Sequence, residues 1–272
     1  MSVNAAGIEV FEGFKIKYPE YSIVTPQTLI EFTIRTLTIA EEEVLKGSLL
    51  VPNKMAQHLN EIIFSCLVKK PDDIKTLQDF TSKITIKDRD ALMFGLYAVT
   101  YKDIHNYDVT CSECRHVNSV KINIAKSFKA NLWPKDSAKP ITETEIPVKL
   151  EIASEITAII AQPLLRDEIK LLNDATFASD SVRDMNLQLL IIRRFEMNRP
   201  EAKTPHTLLE RENILKGYKE LPAPDKKLIE NAYAENFGKY EIDVASLVKC
   251  QKCGQEDTIS IDLVRQFFRA IY

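Results

Sequence analysis

Asp108–Ile124 reads DVTCSECRHVNSVKINI. Cys111 and Cys114 sit in a CxxC between two segments of strand character, and beyond them Val120, Ile122 and Ile124 alternate with polar residues. That alternation is the period-2 pattern of a half-buried strand. A CxxC at a tight turn between strands is a knuckle: the turn aims both sulfurs and nearby backbone N–H groups at one spot. A tetrahedral thiolate site needs four sulfurs, so this pair fills half of one.

The other half lies near the far end of the chain, where Val248–Leu263 reads VKCQKCGQEDTISIDL. Cys250 and Cys253 again follow a β-prone approach, and Ile259, Ile261 and Leu263 again alternate after a polar turn. Gly254 follows the second pair and suits the left-handed backbone that such turns often need. Arg115 stands there in the first pair, so the first knuckle departs from the usual form. The fifth cysteine, Cys66, lies in the apolar helical run NEIIFSCLVKK and reads as a buried small hydrophobe.

The likeness extends upstream. TIKDRDALMFGLYAVTY precedes the first knuckle, with Thr85 placed to cap a helix and Asp88 three residues on. LPAPDKKLIENAYAENFG precedes the second, with Asp225 at a similar distance from its cysteines. Further back, LIEFTIRTLTIAEEEVL pairs with ITAIIAQPLLRDEIKLL, each a strand leading to an acidic helix start. KMAQHLNEIIFSCLVK and VRDMNLQLLIIRRFEM both carry apolar residues at helical spacing. The expected fold is α+β: two diverged copies of a strand–helices–knuckle unit, joined by one zinc-ribbon-like site of four cysteines. Cys111, Cys114, Cys250 and Cys253 are its expected ligands, with a structural Zn2+ shared across a pseudo-twofold axis. The long intervening chain is no obstacle, because loop-closure entropy grows only logarithmically with length.

Three rival readings of the cysteines stand beside this one. Two separate sites could each recruit histidine; His105 and His116 flank the first knuckle, but none lies near the second. His58 and His206 read as helix-surface or cap residues. A redox dithiol would sit where a strand meets a helix, which lowers a thiol pKa, whereas both pairs here run into strands. A catalytic zinc keeps an open position, which four cysteines would close.

Composition narrows the function classes. The chain has 272 residues, 45% of them hydrophobic, and only 7 glycines. No GxGxxG or Walker-type loop appears. The net charge of −3 lacks the basic excess of a nucleic-acid binder. No apolar run approaches the roughly 18 residues of a membrane span, and no signal-peptide core is seen. A reducing cytoplasm is therefore expected, where paired cysteines favour metal over disulfides. Glu41-Glu42-Glu43 fits the first turn of a helix. Arg193-Arg194 reads as a small basic spot on a solvated helix face. No spacing suggests a catalytic triad.

Residues 1–24 read as an irregular arm, in which Ile8, Val10, Phe11 and Phe14 could pack on the body or a neighbour. Residues 25–125 form the first unit, 126–146 a polar connector, and 147–272 the second unit. The only tryptophan, Trp133, reads as the residue that anchors the connector to its own protein. Phe267, Phe268, Ile271 and Tyr272 near the chain end call for burial against the body or another subunit.

Taken together, the TIKDRDALMFGLYAVTY helix, the strand–CxxC–strand and the ending CQKCGQEDTISIDLVRQFFR resemble the baseplate hub subunit family of T-even-type contractile-tailed phages. The resemblance covers roughly 25–125 and 147–272 and leaves out the arm and the connector. It implies a non-enzymatic structural or assembly role in the baseplate hub, where tube, spike and wedges meet. The implied partners are other tail proteins (hub, spike or tube components), and the implied place is the host bacterial cytoplasm during assembly and then the virion tail. The alternative is a zinc-ribbon nucleic-acid or transcription module. It would need a basic surface, but Lys121, Lys126, Lys129, Lys249 and Lys252 are offset by Glu113, Glu256 and Asp257.

Overall fold

The computed structural model describes residues 16–48, 52–101, 104–124, 127–174, 185, 187–198 and 206–261. It begins with a hairpin, β1 (Glu20–Val24) and β2 (Glu31–Arg35), followed by α1 (Ile39–Ser48) and α2 (Pro52–Cys66). Next come β3 (Leu67–Lys69), α3 (Leu77–Lys83) and the long α4 (Ile86–Tyr101). The first knuckle sits between β4 (Ile104–Thr110) and β5 (Val117–Asn123). After β6 (Phe128–Ala130) the order resumes with a hairpin, β7 (Glu145–Lys149) and β8 (Ile156–Ala161), then α5 (Leu165–Leu172), β9 (Ile192–Met197) and β10 (His206–Leu208). It closes with α6 (Arg211–Glu220), α7 (Ala223–Tyr233), a π-turn over Ala234–Gly238, and the second knuckle between β11 (Ile242–Lys249) and β12 (Glu256–Ser260). The class is α+β, as expected.

The sheets run in matching order. β1-β2-β3 form one antiparallel sheet and β7-β8-β9-β10 another. Each begins with a hairpin, and a helical stretch intervenes before its third strand. Local sequence explains α1: Thr38 and Glu41 form a capping box, with Glu41 N–H donating to Thr38 Oγ1 and Thr38 N–H to Glu41 Oε2. Glu41 is also gripped by the Arg35 fork at 2.7 and 2.9 Å and by Ser65 Oγ. α4 is apolar almost all round, and Ala91–Val99 are buried without a break. Such a helix belongs inside a core. It lies so close to the first hairpin that a Cβ on Gly95 would sit 3.3 Å from Ile34 Cγ2.

Two hydrophobic cores result. The first gathers Phe32, Ile34, Ile63, Phe80, Phe94 and Tyr97, and it draws in Val244, Val248 and Ile261 from the end of the chain. The second forms around Ile160, Leu190, Ile192, Phe195, Ile214 and Phe237. The last hairpin therefore leaves its own half and packs on the other. It continues one sheet with β6, where Val244 pairs with Phe128, and Phe128 stacks on Phe94 at 4.3 Å.

Four sequence expectations change. Glu20–Val24, assigned to the irregular arm, is a strand, because Tyr21 and Ile23 face α4 while β2 supplies its hydrogen bonds. Residues 192–197 of the expected helix VRDMNLQLLIIRRFEM form β9, since the β-branched Ile192 and the aromatic Phe195 fill the second core. Arg193 and Arg194 are consequently on a strand, and they are not a free basic spot: Arg193 binds Asp167 and the Gln162 carbonyl, and Arg194 binds Glu145 and Glu196. His206 opens β10 rather than decorating a helix. His58 lies half-buried on α2, and Cys66 is fully buried, its thiol pushed up to about 12 by desolvation. Trp133 anchors the connector as expected. Its backbone N–H donates to the Pro26 carbonyl at 2.7 Å, and its ring meets Tyr240 edge-on at 4.8 Å. Ile8, Val10, Phe11 and Phe14 of the arm and the residues at the chain end, Phe267 to Tyr272, lie outside the described residues, as does Lys126.

Candidate metal centre

Each knuckle is built by the same backbone grammar. Cys111 N–H donates to the His116 carbonyl and Cys250 N–H to the Gln255 carbonyl, each closing a turn six residues long. Arg115 N–H returns to the Cys111 carbonyl and Gly254 N–H to the Cys250 carbonyl. Both turns require positive φ at that position: 59° at Arg115 and 80° at Gly254. The expected departure at Arg115 is one of composition only, because the arginine adopts the glycine conformation.

The fold brings the two turns face to face. Cys111 Sγ lies 3.6 Å from Cys253 Sγ, and Cys114 Sγ lies 3.6 Å from Cys250 Sγ. All four sulfurs fall within 4.8 Å of one another. These separations are far beyond the roughly 2.05 Å of a disulfide. The two separations of 3.6 Å are close to the edge of about 3.8 Å for a tetrahedron with metal–sulfur bonds of about 2.3 Å. His116 is exposed, and among the described residues the four cysteines are the one group of this kind placed to hold a metal ion. Four thiols gathered in this way fit a closed, four-coordinate ion.

The electrostatics agree with that donor set. The Cys253 N–H, helped by that of Lys252 against the penalty of desolvation, pulls the Cys250 thiol down to about 6. Cys253 accepts a hydrogen bond from Gln255 N–H, yet the neighbouring sulfurs push it up to about 12. Without a cation the cluster therefore favours the thiolate at Cys250 and the protonated thiol at Cys253. A bound divalent ion would displace the thiol protons.

Sequence reasoning missed the contacts that join the knuckles. Ser112 N–H and Oγ–H both donate to the Asp257 carboxylate, at 3.1 and 2.5 Å. In return, Gln251 N–H donates to Asn118 Oδ1 at 2.9 Å. Ser112 and Gln251 each follow the first cysteine of a pair, and Asn118 and Asp257 each stand seven residues beyond that cysteine. The signal lay in that shared offset, hidden by the change from Asn to Asp. Asn118 is buried, and its Nδ2 is aimed at the Val109 and His116 carbonyls. Ser112 pulls Asp257 below the usual carboxylate range.

A second matched pair supports the site from behind. Asp88, fully buried in the first turn of α4, accepts from Gln27 N–H at 2.8 Å and Thr28 N–H at 3.2 Å in the β1–β2 loop. Asp225, fully buried in the first turn of α7, accepts from Glu151, Ile152 and Ala153 N–H in the β7–β8 loop. Thr85 caps α4 as expected, receiving the Asp88 N–H. The Asp88 carboxylate instead reaches across to the hairpin.

With this geometry in hand, the comparison with known families is decisive. The family described as T4 bacteriophage base plate protein matches residues 18–269. The chain belongs to that family. No curated protein and no solved structure matches it. Membership makes it a structural phage protein, of a kind that works among other tail proteins. Among its described residues no helix is long and apolar enough to cross a membrane.

Proposed function

We propose that this base plate protein is a non-enzymatic structural and assembly component of the baseplate hub, stapled by one Zn2+ on Cys111, Cys114, Cys250 and Cys253. The observation that carries the reading is the convergence of four sulfurs from two distant parts of a base plate family chain. Four cysteines complete a zinc shell and leave no position for a substrate, so the ion holds structure. Hub, spike or tube proteins are the proposed partners, met first in the host bacterial cytoplasm and retained in the virion tail.

We further infer that the body arose from two diverged copies, 25–125 and 147–272 extended at their starts to take in β1 and β7, with the residues before β1 as an arm and those from 126 to β7 as a connector. Support comes from the repeated order of hairpin, helices and knuckle, from the equivalent Asp88 and Asp225, and from the crossed hydrogen bonds of the two turns. Against a nucleic-acid role, the exposed Lys249 and Lys252 are offset by the exposed Glu113 and Glu256.

The test is reconstitution. Elemental analysis of chelator-free protein should give one zinc per chain. Co-sedimentation with purified hub, spike and tube proteins should then recover a stable complex, which the Cys111→Ser variant fails to form. Zinc-free native protein would remove the staple, and failure to bind any of those partners would remove the hub role.

A further inference from the structure

We propose that Asn118 and Asp257 are positioning residues that clasp the two knuckles to each other, so that the four-sulfur site is assembled before the metal enters. The inference deepens the zinc reading and rests on it for the identity of the ion.

Apart from the sulfurs, three hydrogen bonds cross between the two turns: two from Ser112 to Asp257 and one from Gln251 to Asn118. Two of the three donors are backbone N–H groups next to a cysteine, so each bond fixes the orientation of the residue that carries a sulfur. The acceptors are themselves constrained. Asn118 is 2% exposed, and both ends of its amide are engaged. Asp257 lies on β12 paired with Val248, and Val248 is buried in the first core with Ile122. The clasp is thus anchored to packed strands.

Such contacts also matter to a metal already bound, since partners that orient ligands typically tune affinity by about 10–100-fold. The reciprocal arrangement adds something that a hydrogen bond within one turn could not. Each hairpin positions the cysteines of the other, so neither knuckle reaches its geometry alone.

Cysteine pairing in the metal-free protein reads this directly. Protein stripped of metal under reductant would be oxidised with diamide, which accepts two electrons and two protons for each disulfide formed. The products would be mapped by trypsin and mass spectrometry. Cleavage after Lys252 separates Cys250 from Cys253, so crossed and local pairs give different peptides. The wild-type chain should yield Cys111–Cys253 and Cys114–Cys250. The Asn118→Ala/Asp257→Ala double variant should shift to Cys111–Cys114 and Cys250–Cys253. Asp257→Asn keeps an acceptor for Ser112 and should retain crossed pairs. Zinc release to a chelator should quicken at least 10-fold in the double variant, whose zinc-loaded circular dichroism should match wild type. The clasp is overturned if wild type forms local pairs in the same proportion as the double variant, or if zinc release is unchanged. Absence of zinc from the native protein would remove the metal reading alone, because the pairing pattern would still report the clasp.

Discussion

Asp88 and Asp225 hold corresponding places in the two halves, yet their surroundings drive them in opposite directions. Asp88 sits in the heart of the first core, where desolvation outweighs the Gln27 and Thr28 amides and raises its pKa. Asp225 is also buried, and burial again pushes upward, but the three amides led by Ala153 outweigh it and hold the carboxyl below its usual range. The helices around them differ in the same sense. α4 is enclosed on all sides, whereas α7 buries little beyond Asp225 and Ile229. One architectural role, a carboxylate that ties a helix start to a hairpin loop, is compatible with a shift in either direction. The count of donors against the depth of burial decides which prevails.

The likeness of the halves can be broken most severely at the staple that joins them. Cys111→Ser and Cys250→Ser should each abolish metal binding, and each should cost about 4 kcal/mol or more in denaturant unfolding. The loss should be the same whichever half is mutated. Loss confined to one half, or a zinc content that stays at one per chain, would end the shared-site reading.

The aspartates give the next largest effect. Asp225→Asn should cost about 2 kcal/mol, because an amide turns an N–H toward a backbone donor that a carboxylate satisfied. Asp88→Asn should cost less, because the neutral amide escapes the desolvation that opposes the carboxylate there. The pH dependences should have opposite signs. The folded pKa of Asp225 is depressed, so its contribution is present above the unfolded value near 4 and is lost as pH falls through the folded value. The folded pKa of Asp88 is raised, so its contribution is present below the unfolded value and is lost as pH rises through the folded one. Unfolding of both variants across a range of about pH 3 to 7 should show the Asp225→Asn penalty shrinking toward acid and the Asp88→Asn penalty shrinking toward base. Glu41 adds acid sensitivity in the first half alone. Desolvation opposes its ionisation, but Arg35, Thr38 and Ser65 hold it at about 2, so its contribution is lost as pH falls from about 4.5 toward 2.

The smallest effect sharpens the likeness of the knuckles. Gly254→Ala should cost about 1 kcal/mol by conformation alone, since nothing lies within 4 Å of the added Cβ. Arg115→Gly should be neutral or stabilising by a similar amount, because it relieves a non-glycine residue at φ 59°. Thermal melts should show a lowered midpoint for Gly254→Ala and no lowering for Arg115→Gly.

Much of the plan was legible from sequence. Period-2 alternation after each CxxC gave β5 and β12, the acidic helix starts gave α1 and α5, and Thr85 gave the start of α4. These are local signals, set by side-chain period and by the hydrogen bonds of the first turn, and they survive burial. β9 was misread because a short apolar run such as LLIIRRFEM satisfies both periods, and only the neighbouring strand β8 decides between them. The strand character of Glu20–Val24 likewise depends on β2 and α4.

The sequence by itself determined the α+β class, the family likeness and the two thiol pairs. Tertiary structure alone decided that the four sulfurs meet, that Asn118 and Asp257 exchange partners across the site, and that Asp88 and Asp225 carry opposite pKa shifts. The physical reason is range. Turn geometry and periodicity are fixed within a few residues, whereas a contact between Ser112 and Asp257 depends on how every intervening element packs.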